Sequence, residues 1–217
     1  MGEHSLRHVI NVIATFTFLI PITAGVLKFK FASNHIRLLF YLLVYGFITD
    51  LVVWQLLDIS RSTSLLLFNM YGLVESTILF LFIRMTAESE VVKKICILLI
   101  ALAIPSWFII YFSYQDEQPH MATFDTSYNI AVAFLTGFAL LKLGEKEISL
   151  KTLPMFWMFL GLFVFSFCTF FISSLLETEL RQKIWFIHNL IAFISYLIFA
   201  KGFLTIKPAD SLSHSRE

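Results

Sequence analysis

Charged residues are scarce in this chain. Asp, Glu, Lys and Arg make up 14% of its 217 residues, against 58% that are hydrophobic. A soluble domain of this size carries about 25% charged and 45–50% apolar residues, so a water-facing exterior cannot be assembled from this composition. The net charge of +1 supplies no field that would draw a nucleic acid or an acidic partner. Cysteine is nearly missing. Cys96 and Cys168 are too few for a disulfide framework or a metal cluster, and both fall in apolar runs where a thiol behaves as a small hydrophobe. There is no Gly-rich phosphate loop, no G-x-S-x-G and no H-E-x-x-H. These absences argue against a soluble enzyme, a nucleic-acid binder and a metal or organic cofactor.

Phenylalanine and the aliphatics take the vacated share. Twenty-five Phe residues suit a surface that faces lipid rather than water. A bilayer core about 30 Å thick takes roughly 20 apolar residues in a helix. Seven stretches meet that length, at about His8–Leu27, Arg37–Leu57, Ser64–Ile83, Lys94–Phe112, Thr126–Leu143, Pro154–Leu176 and Lys183–Leu204. The first is too long for a signal-peptide core and lacks a cleavage signature, so it reads as a retained span. The expectation is an all-α polytopic membrane protein. Residues 1–207 form one seven-helix domain, and a polar, disordered cytoplasmic tail follows from 208 to 217.

Lys and Arg set the direction of threading. With seven spans, one side holds Arg7, Arg61, Arg181 and Lys183, and the other holds the remaining twelve of the sixteen. Basic residues in short loops collect on the cytoplasmic side, which predicts an N-terminus outside and a C-terminus inside. The outer side carries the acids Asp58, Asp116, Glu117, Asp125, Glu177 and Glu179, with 113–125 as its longest loop. The chain is expected in a cell membrane of bacterial inner-membrane type. Trp54, Trp107, Trp157 and Trp185 lie near span ends and read as interfacial anchors. Lys201, near the inner edge of the last span, snorkels to the interface rather than carrying a retinal. Pro21 and Pro105 are expected to kink their helices.

A faint repeat runs through the chain. Asn11–Phe16 resembles Asn129–Phe134, Phe47–Thr49 resembles Phe167–Thr169, and Asn69 aligns with Asn189, at offsets of 118, 120 and 120. A three-plus-one-plus-three arrangement, with the fourth span as linker, generates such offsets and occurs in some transporters. Chance matching among Phe- and Ile-rich helices generates them too.

Ionisable groups at membrane depth cost at least ~2.5 kcal/mol each and mark functional candidates. Asp50, Glu75 and His188 are of this kind, and Asn69, Tyr71, Tyr128, Asn129 and Asn189 surround them in the outer half of the bundle. Helical spacing puts Asn69, Gly72 and Ser76 on one face beside Glu75, and sets Gly46 one turn from Asp50. Small and polar residues of this sort also serve as interhelical glue. The functional expectation is an outward-facing polar cavity with Glu75 at its floor, Asp50 and His188 on its walls, and His188 as proton partner. Asp50, Asn69, Glu75, Tyr128, Asn129, His188 and Asn189 are the candidate ligand-binding set.

Two groups of segments carry a resemblance. They are Asn69-Met-Tyr-Gly-Leu-Val-Glu75, and Leu153-Pro-Met-Phe-Trp157 with Ile184-Trp-Phe-Ile-His-Asn189 and Tyr196-Leu-Ile-Phe-Ala-Lys-Gly-Phe203. Together they resemble small bacterial seven-helix membrane proteins of unassigned function, some of which are similar to the membrane sensor halves of histidine kinases without the kinase. The resemblance implies a sensor or accessory subunit that binds a small or lipidic ligand and signals to a separate cytoplasmic protein. A small-solute transporter built on the repeat, and an enzyme acting on lipid within the membrane, are the alternatives. The latter needs a nucleophile or metal that the sequence does not point to.

Overall fold

The computed structural model describes residues 3–53, 61–113, 122–146, 149–175 and 181–207, with side chains from residue 10 onward except 61–62, 122, 173–175 and 181–185. Among them the chain is helical throughout. The helices are α1 (Glu3–Thr17), α2 (Leu19–Lys28), α3 (Asn34–Leu51), α4 (Arg61–Thr86), α5 (Glu90–Ser113), α6 (Ala122–Gly144), α7 (Pro154–Leu175) and α8 (Arg181–Leu204). Six helical stretches are long and apolar enough to cross a membrane: Ile10–Phe31, Thr63–Thr86, Glu90–Ser113, Thr123–Gly144, Pro154–Ile172 and Phe186–Leu204. The protein is therefore an all-α polytopic membrane protein. α3 is the remaining long helix, and it bears His35, Arg37 and Asp50 within its 18 residues.

Helix boundaries follow local chemistry. α1 and α2 are one crossing broken at Phe18. Pro21 has no N–H to offer the carbonyl of Thr17 four residues back, and its ring crowds that carbonyl. The ladder is rejoined around the fault by Phe18 N–H donating to Thr15 O at 3.3 Å and Ile22 N–H to Phe18 O at 3.2 Å. Pro105, by contrast, sits inside a continuous α5.

The helices close into a ring. α6 packs on α7, α7 on α8, α8 on α1 and α2, these on α3, α3 on α4, and α4 on α6, while α5 lies outside against α4 and α6. The seam is filled by large apolar groups such as Leu39, Phe80, Phe82, Met158 and Phe203, each no more than 2% exposed. Burying side chains of this size contributes about 1.5–3 kcal/mol each. The outer circumference is also apolar: Phe134, Leu141, Ile109 and Val91 are all more than 60% exposed. Surface of that kind matches a hydrocarbon solvent.

Among the described residues, charge collects at one end of the bundle. Lys93 pairs with Glu90 at 2.7 Å, Lys142 with Glu145 at 2.7 Å, and Lys146 with Glu88 across the ends of α6 and α4. The Lys146 ammonium holds the Glu88 carboxyl below the ordinary carboxylate range. Lys201 is exposed, in keeping with a side chain that reaches for the interface. The acids Asp58, Asp116, Glu117, Glu177 and Glu179, the anchors Trp54 and Trp185, and the tail from 208 lie outside the residues whose side chains are described.

Candidate functional site

Glu75 is the centre of the polar interior. It lies midway along α4 and is 7% exposed. Each of its carboxyl oxygens accepts a hydrogen bond from a tyrosine. Tyr71, one turn earlier on the same helix, donates to Oε1 at 3.2 Å. Tyr128 on α6 donates to Oε2 at 2.6 Å. The second bond ties α4 to α6.

Two glycines make the cluster fit. A Cβ on Gly46 of α3 would come within 3.0 Å of the Tyr71 hydroxyl and 3.1 Å of the Phe18 ring, so a larger residue would push α3 off α4. A Cβ on Gly72 would meet the Asp125 carboxyl at 3.0 Å. The missing side chain at 72 thus lets an acid of α6 lie against the backbone of α4. Tyr45 of α3 stacks on Tyr71 at 5.6 Å, and Tyr196 of α8 packs on Phe18 at 4.4 Å.

Three carboxyls share this interior. Asp50 on α3 and Asp125 on α6 are each within electrostatic range of Glu75, and Tyr196 is within range of both Asp50 and Glu75. Charges in so apolar a setting interact far more strongly than in water. Hydrogen-bonding groups line the neighbouring helices. Asn129 is fully buried and donates to Asp125 O at 2.8 Å, leaving its Oδ1 without a partner. The hydroxyls of Ser166, Thr169 and Ser195 and the Nδ2 of Asn189 are likewise buried without one. A buried polar atom left unpaired costs about 1–3 kcal/mol, so this interior is polar beyond what its own hydrogen bonds satisfy.

The structure joins most of the residues expected from sequence. Asp50, Glu75, Tyr128 and Asn129 converge between α3, α4 and α6. Asn69 is buried, and its backbone carbonyl accepts a 2.8 Å hydrogen bond from the Trp107 indole of α5. His188 and Asn189 stand on α8, with the His188 ring 6.2 Å from Phe165 of α7. The hydrogen bonds on Glu75 come from the two tyrosines rather than from His188.

Two residues differ from expectation. Asp125 reads in sequence as the end of an outer loop, yet it belongs to the first turns of α6 and reaches inward. Its spacing of four from Asn129, on the face that also carries Tyr128, is the signal that could have placed it. Trp107 reads as an interfacial anchor but is 3% exposed and stacked on Tyr111 at 5.0 Å. Burial is affordable for an indole because the Asn69 carbonyl takes its N–H.

Chemically, the cluster is a carboxyl held by two phenols with two further acids in range, able to take up or release a proton and to bind a polar or cationic group. Among the described residues no three His, Cys, Asp or Glu side chains come close enough together to hold a metal ion. Cys96 and Cys168 are unpaired thiols. No protein family, curated protein or solved structure matches the chain.

Proposed function

We propose that this protein is a sensor or accessory subunit of the bacterial inner membrane. In this reading it crosses the bilayer seven times, with its N-terminus outside and its C-terminus in the cytoplasm. It binds a small or lipidic ligand from the outer side at the cluster around Glu75, and passes the resulting change in helix packing to a separate cytoplasmic signalling protein. The resemblance to kinase-free sensor modules and the concentration of Lys and Arg on one side favour this reading.

The observation that carries it is the Glu75 carboxyl shared by tyrosines of two helices, Tyr71 on α4 and Tyr128 on α6. A ligand that competes for either phenol alters the α4–α6 contact directly. The Trp107–Asn69 bond then links α4 to α5. An ionisable group at this depth is costly, and a role in ligand binding accounts for that cost better than packing does.

The test is a thermal-shift screen of the purified protein against small polar and lipidic compounds, followed by Glu75→Gln and Asp50→Asn. Stabilisation by a compound that both variants lose supports the reading. Stabilisation unchanged in both variants would sink it.

A transporter is the second reading, favoured by one observation. The ring order, with α5 outside, is what a three-plus-one-plus-three repeat generates: the α1/α2–α3–α4 half maps onto α6–α7–α8, and the α4–α6 junction onto α8–α1/α2. Uptake of the same stabilising compound into liposomes decides between the two. Accumulation that depends on Glu75 marks a transporter, and binding without uptake marks a sensor.

A further inference from the structure

The charged end of the bundle holds a cleft of about 70 Å³ where α4, α5, α6 and α7 meet. Ile83 of α4, Val92 of α5 and Phe159 of α7 line it together with Leu135, Phe138 and Leu143 of α6, and Glu88 lines it beside two lysines. Lys142 and Lys146 stand at its rim, both on the exposed side of α6 and its C-terminal extension. The layout is amphiphilic, with an apolar seam continuing from the lipid-facing surface and ammonium groups above it. We propose that this cleft binds an anionic phospholipid, with part of an acyl chain against the wall and the phosphate on Lys142 and Lys146.

Charge complementarity selects this occupant. A zwitterionic lipid brings its own cation beside the phosphate and gains less from two ammonium groups, and a free anion would leave the apolar wall unused. A docked protein helix would need far more area than so small a cleft supplies. The lysines already pair with Glu145 and Glu88, but these are solvent-exposed pairs. Exposed pairs contribute little to stability, so a phosphate can replace a carboxylate at either ammonium. Basic pockets between membrane helices are a recurrent setting for phosphate headgroups. The proposal is independent of the site around Glu75, which lies half a helix away along α4.

Native mass spectrometry of the purified full chain, released from neutral detergent, reads the outcome. Dioleoylphosphatidylglycerol and dioleoylphosphatidylcholine are the probes. The wild-type protein should retain one phosphatidylglycerol at ratios where phosphatidylcholine is lost. Lys142→Gln with Lys146→Gln, at exposed positions that leave the fold intact, should weaken retention by about five-fold per lysine. Glu88→Gln removes the carboxylate that competes for Lys146 and should strengthen retention. Ala139→Leu, which fills the cleft without changing charge, should abolish it. Equal retention of the two lipids by the wild type, or undiminished phosphatidylglycerol binding in both the double-lysine and Ala139→Leu variants, would overturn the proposal.

Discussion

Glu75 sets a carboxyl inside an apolar bundle, where an ionisable side chain costs ~2.5–3.5 kcal/mol. Its two phenol donors offset part of that. Tyr128→Phe leaves Oε2 buried without its donor, and should lower stability by about 1–3 kcal/mol, read as a drop in Tm in detergent. Glu75→Gln keeps an acceptor for one phenol and removes the ionisable group. It should melt at or above the wild-type temperature while losing every ligand-induced shift. That separation of stability from response is what distinguishes a binding residue from interhelical glue. At this scale the sequence exposes Glu75 and Asp50 clearly, because an acid inside an apolar run is costly whether it binds a ligand or joins helices. It hides Asp125, which sits at the border of a polar stretch, and Trp107, whose place near a span end mimics a lipid-facing anchor. Position along a helix tells depth. It does not tell which way the side chain turns, and for these two residues that orientation is set by Gly72 and by the Asn69 carbonyl.

Among helices, close approach is governed by small residues. A Cβ on Gly161 of α7 would lie 2.6 Å from the Phe199 ring of α8, whereas a Cβ on Gly144 at the end of α6 would meet nothing within 4 Å. Gly161→Ala should therefore destabilise the α7–α8 contact by about 1–3 kcal/mol. Gly144→Ala should leave Tm unchanged or raise it slightly, because Ala loses less backbone entropy than Gly. Equal effects of the two substitutions would contradict the packing described here. The helices themselves are largely legible in sequence, since the third to seventh apolar runs each correspond to one long helix, while the first is split in two at Phe18. The break before Pro21 is legible as a kink and follows from the missing N–H. Pro105 lies inside α5 without ending it, as membrane helices tolerate where neighbours re-satisfy the freed carbonyl.

For the molecule as a whole, composition alone settles the solvent. The exposed Phe, Leu and Ile residues around the ring are intelligible only if hydrocarbon surrounds them. The order of helices around the ring cannot be read from hydropathy, which is blind to which helix touches which. The weak repeat hints at it, through the matched pair Thr49 and Thr169, both buried. Orientation decides which leaflet lies nearer Asp50, Glu75 and Asp125, and hence from which side a ligand enters. The proposed account needs an odd number of crossings with the basic end of the bundle in the cytoplasm. Protease- or dye-accessible tags on the two termini, assayed in intact cells, test this in one measurement. The N-terminal tag should be reached from outside and the C-terminal tag should be protected until the cells are opened. Labelling of both tags in intact cells, or of neither, would contradict the threading and remove the outward-facing site with it.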